Sequence, residues 1–204
     1  MIPVNSALGR FLVPAFIRFG VSANAITISS LLSGLLGCWL LSQGRPAGIV
    51  AGAAAFLWSN VLDECDGRVA RQTQSCSRLG ALLDTVTDCM VHIAFFLGLG
   101  IGWGRLFPHG PWLLLGAVAA GGSFLSCLLD LGGITPRKAA ANSQGERRDS
   151  LAWVTEWFRI DFSLAVLISA FLRQMAWILW SGALGVFLFW IPSTFLIALR
   201  GRGK

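Results

Sequence analysis

Apolar residues run along this chain in uncharged blocks of roughly 20 residues, the length a helix needs to cross a bilayer, with short polar stretches between them. Six blocks predict spanning helices at about 24–43, 46–62, 80–104, 112–133, 151–172 and 175–199, the second prolonged by a polar stretch. Ahead of them, residues 5–19 set Leu8, Phe11, Leu12, Ala15 and Phe16 at helical spacing, with Arg10 and Arg18 as polar anchors. That pattern predicts an amphipathic helix on the membrane surface, bent near Pro14. The links Ser42–Pro46 and Gly104–Pro111 are short and turn-rich, and the longest polar segment, 134–150, is basic. No internal repeat or linker divides the chain. The expectation is a single all-α domain over 1–204: a polytopic membrane protein with six transmembrane helices plus an N-terminal amphipathic surface helix.

Composition agrees with that reading. The 204 residues have 13% charged side chains and a mean hydropathy of +0.69, against about 25% charge in a soluble domain. The formal net charge is +6, and its distribution carries the meaning. Arg10, Arg18, Arg68, Arg71, Arg78, Arg137, Lys138, Arg147, Arg148, Arg159, Arg200, Arg202 and Lys204 share one side of the predicted topology, and only Arg45, Arg105 and Arg173 fall on the other. This asymmetry places the first group in the cytoplasm, at the cell (inner) membrane. A nucleic-acid platform would need a soluble basic face with interleaved aromatics, which is missing here. Cys38, Cys65, Cys76, Cys89 and Cys127 are odd in number, contain no CxxC and read as small hydrophobes. The first 20 residues lack the continuous apolar core of a cleavable signal. Frequent glycines such as Gly34, Gly37, Gly98, Gly100, Gly102, Gly121 and Gly122 predict close helix crossings. Tryptophans near the span ends (Trp103, Trp112, Trp153, Trp157, Trp177) predict interfacial anchoring, and Pro192 a kink in the last helix.

The acidic residues add chemistry. There are ten, and five lie between Asp63 and Asp88: Asp63, Glu64, Asp66, Asp84 and Asp88. Charge at membrane depth is expensive, so clustering it requires a compensating partner. Asp63 and Asp66 are three apart, Asp84 and Asp88 four apart, so each pair shares a helical face. The first pair ends one span and the second begins the next, so adjacent helices would bring four carboxylates together near one membrane boundary. Such a cluster cannot stay ionised without cations, and its hard oxygens suit Mg²⁺ or Mn²⁺, two of which can clamp a phosphoryl group. Between the pairs, Gly67 and Gly80 permit close approach of a bulky ligand, and Arg71 can grip phosphate oxygens bidentately. One carboxylate pair alone would favour a proton relay or a salt bridge. Four at these intervals, with glycines and an arginine between them, reverse that preference.

The run Asp63-x2-Asp66-Gly67-x2-Ala70-Arg71-x8-Gly80-x3-Asp84-x3-Asp88 resembles the signature of the CDP-alcohol phosphatidyltransferases at all eight fixed positions over 26 residues. The resemblance implies that Asp63, Asp66, Asp84 and Asp88 hold two divalent ions and that Asp88 deprotonates the acceptor hydroxyl. It implies that Gly67, Ala70, Arg71 and Gly80 line the CDP site, with Arg71 on the pyrophosphate. It also implies a homodimer with its site open to the cytoplasmic leaflet. Family members start the first span with Pro-Asn-x-x-Thr. Asn24 and Thr27 keep that spacing as further CDP contacts, with Ala23 in place of the proline. The acceptor hydroxyl would attack the β-phosphorus of a CDP-alcohol and release CMP, largely through positioning and electrostatics.

The acceptor is less legible. The candidates are Arg159, Arg137, Lys138 and His92. Arg159 sits with Asp161 in a charged pair that reads equally as head-group recognition or as a salt bridge. Arg137 and Lys138, with Arg147 and Arg148, read first as topology signals and lipid head-group contacts and only second as acceptor contacts. His92 lies one turn beyond Asp88 on the same face, where it reads as a contact to the acceptor or nearby waters or, at least equally, as a buried hydrogen-bonded histidine, while His109 sits in an external turn. Glu64 falls outside the periodic face and reads as solvated or capping. Many phospholipid-making members carry Lys or Arg directly after the last aspartate, whereas Cys89 stands here. The stretch Leu83–Asp88 is similar to relatives that join polar CDP-polyols, such as the di-inositol phosphate phosphate synthases. The implied substrates are therefore CDP-diacylglycerol or a CDP-polyol, with inositol phosphate or glycerol phosphate as acceptor. A rival reading is a small membrane cation transporter using the aspartates as a relay. It requires carboxylates spread through the membrane depth, and here they sit at one end.

Overall fold

The computed structural model describes residues 4–131 and 162–186. Among these residues the chain forms seven helices and no strand: α1 (Val4–Arg18), α2 (Ala23–Ser42), α3 (Pro46–Gln72), α4 (Arg78–Leu106), α5 (Trp112–Leu131), α6 (Phe162–Phe171) and α7 (Ala176–Gly185). The expected first four spans fall on α2 to α5. The fifth and sixth overlap α6 and α7, and their remaining residues lie outside the described ones, with segment 134–150 and Pro192. By length and composition two helices, α2 and α4, can cross a membrane, while α6 and α7 are shorter apolar helices.

Local signals explain where the helices begin. Ser22 caps α2 by accepting from the Ala25 amide at 3.3 Å, and Ser77 caps α4 by accepting from the Gly80 amide at 2.9 Å. Pro46 starts α3, where a missing amide hydrogen costs nothing. Pro14 lies inside α1, so the expected bend does not end that helix.

α2 packs against both α3 and α4, α4 against α5, α5 against α7, and α3 against α1 and α6. The α2–α3 crossing is closed by two glycines. A Cβ on Gly37 would sit 2.8 Å from the Gly52 carbonyl oxygen, and one on Gly52 would sit 2.7 Å from that of Gly37. Below this crossing Ser30 and Ser59 hydrogen-bond reciprocally, each hydroxyl donating to the other's carbonyl at 2.9 and 2.8 Å. Such pairs let polar side chains hold apolar helices together. Phe56 stacks on Phe95 with centroids 4.2 Å apart, and Phe162 meets both rings edge-on.

α1 divides its apolar residues in a way the pattern did not anticipate. Leu12, Val13, Phe16 and Ile17 pack with Ile26 of α2 and with Val61, Leu62, Cys65 and Val69 towards the end of α3. Leu8, Phe11 and Ala15 face outward instead, Phe11 at 82% exposure. The helix is docked on protein along one side and apolar on another.

Candidate active site

α3 and α4 enter the site from opposite directions along the chain. The last turns of α3 carry Asp63 and Asp66, and the first turns of α4 carry Asp84 and Asp88. Asp63, Asp66 and Asp84 bring carboxylate oxygens to within 4.8 Å of one another. Three hard oxygens at this separation fit a single Mg²⁺- or Mn²⁺-sized ion. At the fourth aspartate, Asp88, His92 Nδ1 lies 3.0 Å from Oδ1 and 2.9 Å from the main-chain oxygen.

Asp66 is the most deeply placed of the four, at 3% exposure. The Thr27 hydroxyl donates to its Oδ2 at 2.5 Å and is itself within 3.1 Å of the Ala23 carbonyl. Burial pushes the Asp66 carboxyl up to about 6, against the lowering effect of the Thr27 hydrogen bond. Burial, followed by the charges of Asp88, Asp84 and Asp66, also holds Asp63 well above the usual carboxylate range, with His92 opposing. Both residues lie in the polar prolongation of α3 beyond 46–62. Each proton so retained marks a place where a cation would be welcome.

Beside the trio opens a cavity of about 190 Å³ lined by Asn24, Thr27, Asp66, Gly67, Ala70, Arg71, Gly80 and Asp84, together with Ala23, Ala81 and Ser75–Ser77. Every position expected to contact CDP therefore borders one space. Gly67 matters for access: a Cβ there would lie 3.3 Å from Arg71 Nη1, where the guanidinium crosses the helix. At Gly80 a Cβ would meet Ser77 Oγ at 3.0 Å and Asn24 Oδ1 at 3.4 Å, so the starts of α2 and α4 converge there.

The loop 73–77 was not read from the sequence as part of the site. It ends α3 through amides of Ser75 and Gln74 bonded to the carbonyls of Ala70 and Arg71, with Gln74 in the left-handed region at φ +54°. This is a Schellman closure built without the usual glycine. Ser77 had a legible signal, a serine just before an apolar helical run. Glu64, expected to be solvated or capping, pairs with Arg68 at 2.7 Å, one turn along α3. Arg137, Lys138 and Arg159 lie outside the described residues. A larger cavity of about 380 Å³ occupies the opposite end of the bundle, among Pro46, Val50, Trp103, Phe107, Phe171 and Arg173. Its lining holds no carboxylate.

The family model for CDP-alcohol phosphatidyltransferase matches residues 20–197 of the chain. The chain belongs to this family. Phosphatidylinositol phosphate synthase of Mycobacterium marinum (strain ATCC BAA-535 / M) is 30% identical to it over 192 residues, 94% of this chain and 76% of the relative. The chain is therefore a membrane-integral transferase of phospholipid synthesis that passes a phosphate-linked alcohol from a CDP-alcohol to an acceptor alcohol. Its family uses divalent metal ions, and the aspartate trio offers a matching donor set. The transporter reading finds no support in these relationships and is set aside.

Proposed function

We propose that this transferase joins CDP-diacylglycerol to a polyol phosphate such as inositol phosphate, releasing CMP on the cytoplasmic side of the cell (inner) membrane. The supporting observation is the convergence of Asp66, Asp84, Arg71, Gly67 and Gly80 on one small cavity, with the Asp63 carboxylate beside the other two. The Mycobacterium marinum relative, named for phosphatidylinositol phosphate synthesis, favours this acceptor class over others. Asp63, Asp66 and Asp84 would hold divalent ions, with Asp88 completing a second position. Bound Mg²⁺ or Mn²⁺ would supply charge neutralisation for the pyrophosphate and the departing CMP.

The chain's own residues account for the rest. Asn24, Thr27, Gly67, Ala70 and Gly80 shape the CDP pocket, and Arg71 aligns the pyrophosphate through its planar fork. Asp88 accepts the proton of the acceptor hydroxyl. The acceptor oxygen then forms a bond to the β-phosphorus, while the bond to the bridging oxygen breaks and CMP leaves with that electron pair. Positioning carries much of the rate, as befits phosphoryl transfer. Arg159, Arg137 and Lys138 remain the acceptor contacts we favour, by their charge and their side of the membrane.

The surrounding architecture belongs to the same proposal. It comprises one domain over 1–204, six transmembrane helices, an N-terminal amphipathic helix at the surface, and a homodimer among membrane lipids. The outward Phe11 and the separation of charge support it: Arg105 Nη1 donates to the Ser42 carbonyl at 2.7 Å, and Arg173 borders the far cavity with Pro46 and Phe107. All three expected external arginines thus lie at the end opposite the aspartates.

The test is CMP release by purified protein with Mg²⁺ or Mn²⁺. CDP-diacylglycerol and a CDP-polyol would each be offered inositol phosphate and glycerol phosphate. Release that requires CDP-diacylglycerol and inositol phosphate, and disappears in Asp88→Asn, is the expected result. Release only from the CDP-polyol would replace the proposed donor.

A further inference from the structure

We infer that His92 is a positioning residue that aims the Asp88 carboxylate. This rests on the transferase reading of the site and adds a member to it. Among the four aspartates, the Asp88 carboxylate is paired with the His92 imidazole. His92 Nδ1 faces two oxygens of the same residue, the Asp88 main-chain oxygen at 2.9 Å and Oδ1 at 3.0 Å. A carbonyl oxygen only accepts, so Nδ1 carries the hydrogen. A carboxylate tied through Oδ1 presents Oδ2 in a fixed direction, and general-base geometry depends on that direction.

The imidazole is itself held. Phe56 meets it at 83° with centroids 5.8 Å apart. Phe56 is fully buried and stacked on Phe95. The order is core aromatic, then imidazole, then carboxylate, the kind of supporting layer that preorganises a reacting group. The i, i+4 spacing on α4 puts His92 and Asp88 on one face. The aromatic support comes from α3, so the arrangement exists only where the two helices meet.

The experiment compares His92→Phe, which keeps ring packing and removes the donor, with His92→Asn, whose amide can replace Nδ1–H. With CDP-diacylglycerol and inositol phosphate, His92→Phe is expected to lower kcat about 10- to 100-fold with KM for both substrates unchanged. His92→Asn is expected to regain most of the loss. Equal loss in both variants, tracking a common fall in Tm, would overturn the inference in favour of a structural role. A raised KM for the acceptor with kcat retained would overturn it in favour of direct substrate contact. A second readout needs no turnover: the chain has two histidines, so nitrogen NMR, assigned with His109→Gln, reports the state of each ring. Hydrogen on Nδ1 of His92 is expected, and a ring bearing hydrogen on Nε2 alone would overturn the inference. CMP release absent from the wild type would count against the substrates proposed above, while the NMR result still decides His92.

Discussion

Thr27 shows how much one hydroxyl can matter beside a buried carboxylate. Its Oγ1 donates to an Asp66 that is almost wholly shielded from solvent. Removing a donor to a buried charged group costs about 1–3 kcal/mol, because the acceptor keeps its desolvation penalty. Thr27→Val is therefore expected to lower Tm and weaken Mg²⁺ binding, while Thr27→Ser retains both; thermal unfolding with and without Mg²⁺ measures each. Arg71 makes a different demand. Lysine keeps the charge and loses the planar fork, so Arg71→Lys should forfeit about one charge-assisted hydrogen bond. That corresponds to roughly a tenfold rise in KM for the CDP-alcohol, read from CMP-release kinetics at fixed acceptor. An unchanged KM would place the pyrophosphate elsewhere. The motif made Arg71 and the aspartates legible in the sequence, since their chemical types and spacing are written there. Thr27 was legible as a position, but its bond to Asp66 was not.

At the scale of elements, the α2–α3 crossing sets where Thr27 can reach. Gly37 and Gly52 bring the two backbones so close that any side chain at either position must push them apart. Gly37→Leu is expected to destabilise by about 1–3 kcal/mol or more, the penalty of overpacking a filled contact, and to reduce CMP release in parallel. Tm and activity measured on the same preparation test the link, and intact activity with a lowered Tm would show that the site tolerates a shifted crossing. The turn after α3 offers the opposite experiment. Gln74 occupies the left-handed region at φ +54°, which costs a side-chain-bearing residue roughly 1–2 kcal/mol. Gln74→Gly is expected to raise Tm, because the relief of strain exceeds the added freedom of the unfolded chain; a Tm unchanged or lowered would contradict this. The helices themselves were well marked, by apolar blocks, by Pro46 and by serines at two starts. The docking of α1 was not, because its apolar residues lie on two sides and the sequence cannot say which one meets protein.

For the molecule as a whole, the carboxylate cluster couples folding to protons, and the metal-holding role proposed for it would couple folding to divalent ions as well. The folded Asp66 carboxyl stands at about 6, above its ordinary 3.8. Without divalent ions the folded protein keeps a proton that the unfolded chain releases between those two values. Its stability must therefore fall as pH rises from about 4 to about 6 and stay low above that. Asp63, raised by burial and by its neighbours, acts in the same direction. Mg²⁺ should reverse the deficit at pH 7, because the ion replaces the proton as compensating charge, and its benefit should fade as pH drops through about 6. Tm across this range in EDTA and in Mg²⁺ checks both statements; a Tm in EDTA that climbs with pH would contradict them. The sequence by itself determined the apolar blocks, the separation of basic residues and the pairing of aspartates on helical faces. These follow from local rules: bilayer thickness sets block length, and the helical repeat fixes which neighbours share a face. Only the tertiary structure decided that Asp88 meets a His92 held against Phe56, that Thr27 caps a carboxylate 39 residues away, and that Ser75–Ser77 line the pocket. Those outcomes depend on how two helices cross and on which rotamers the crossing leaves open, and both are set by contacts between distant parts of the chain.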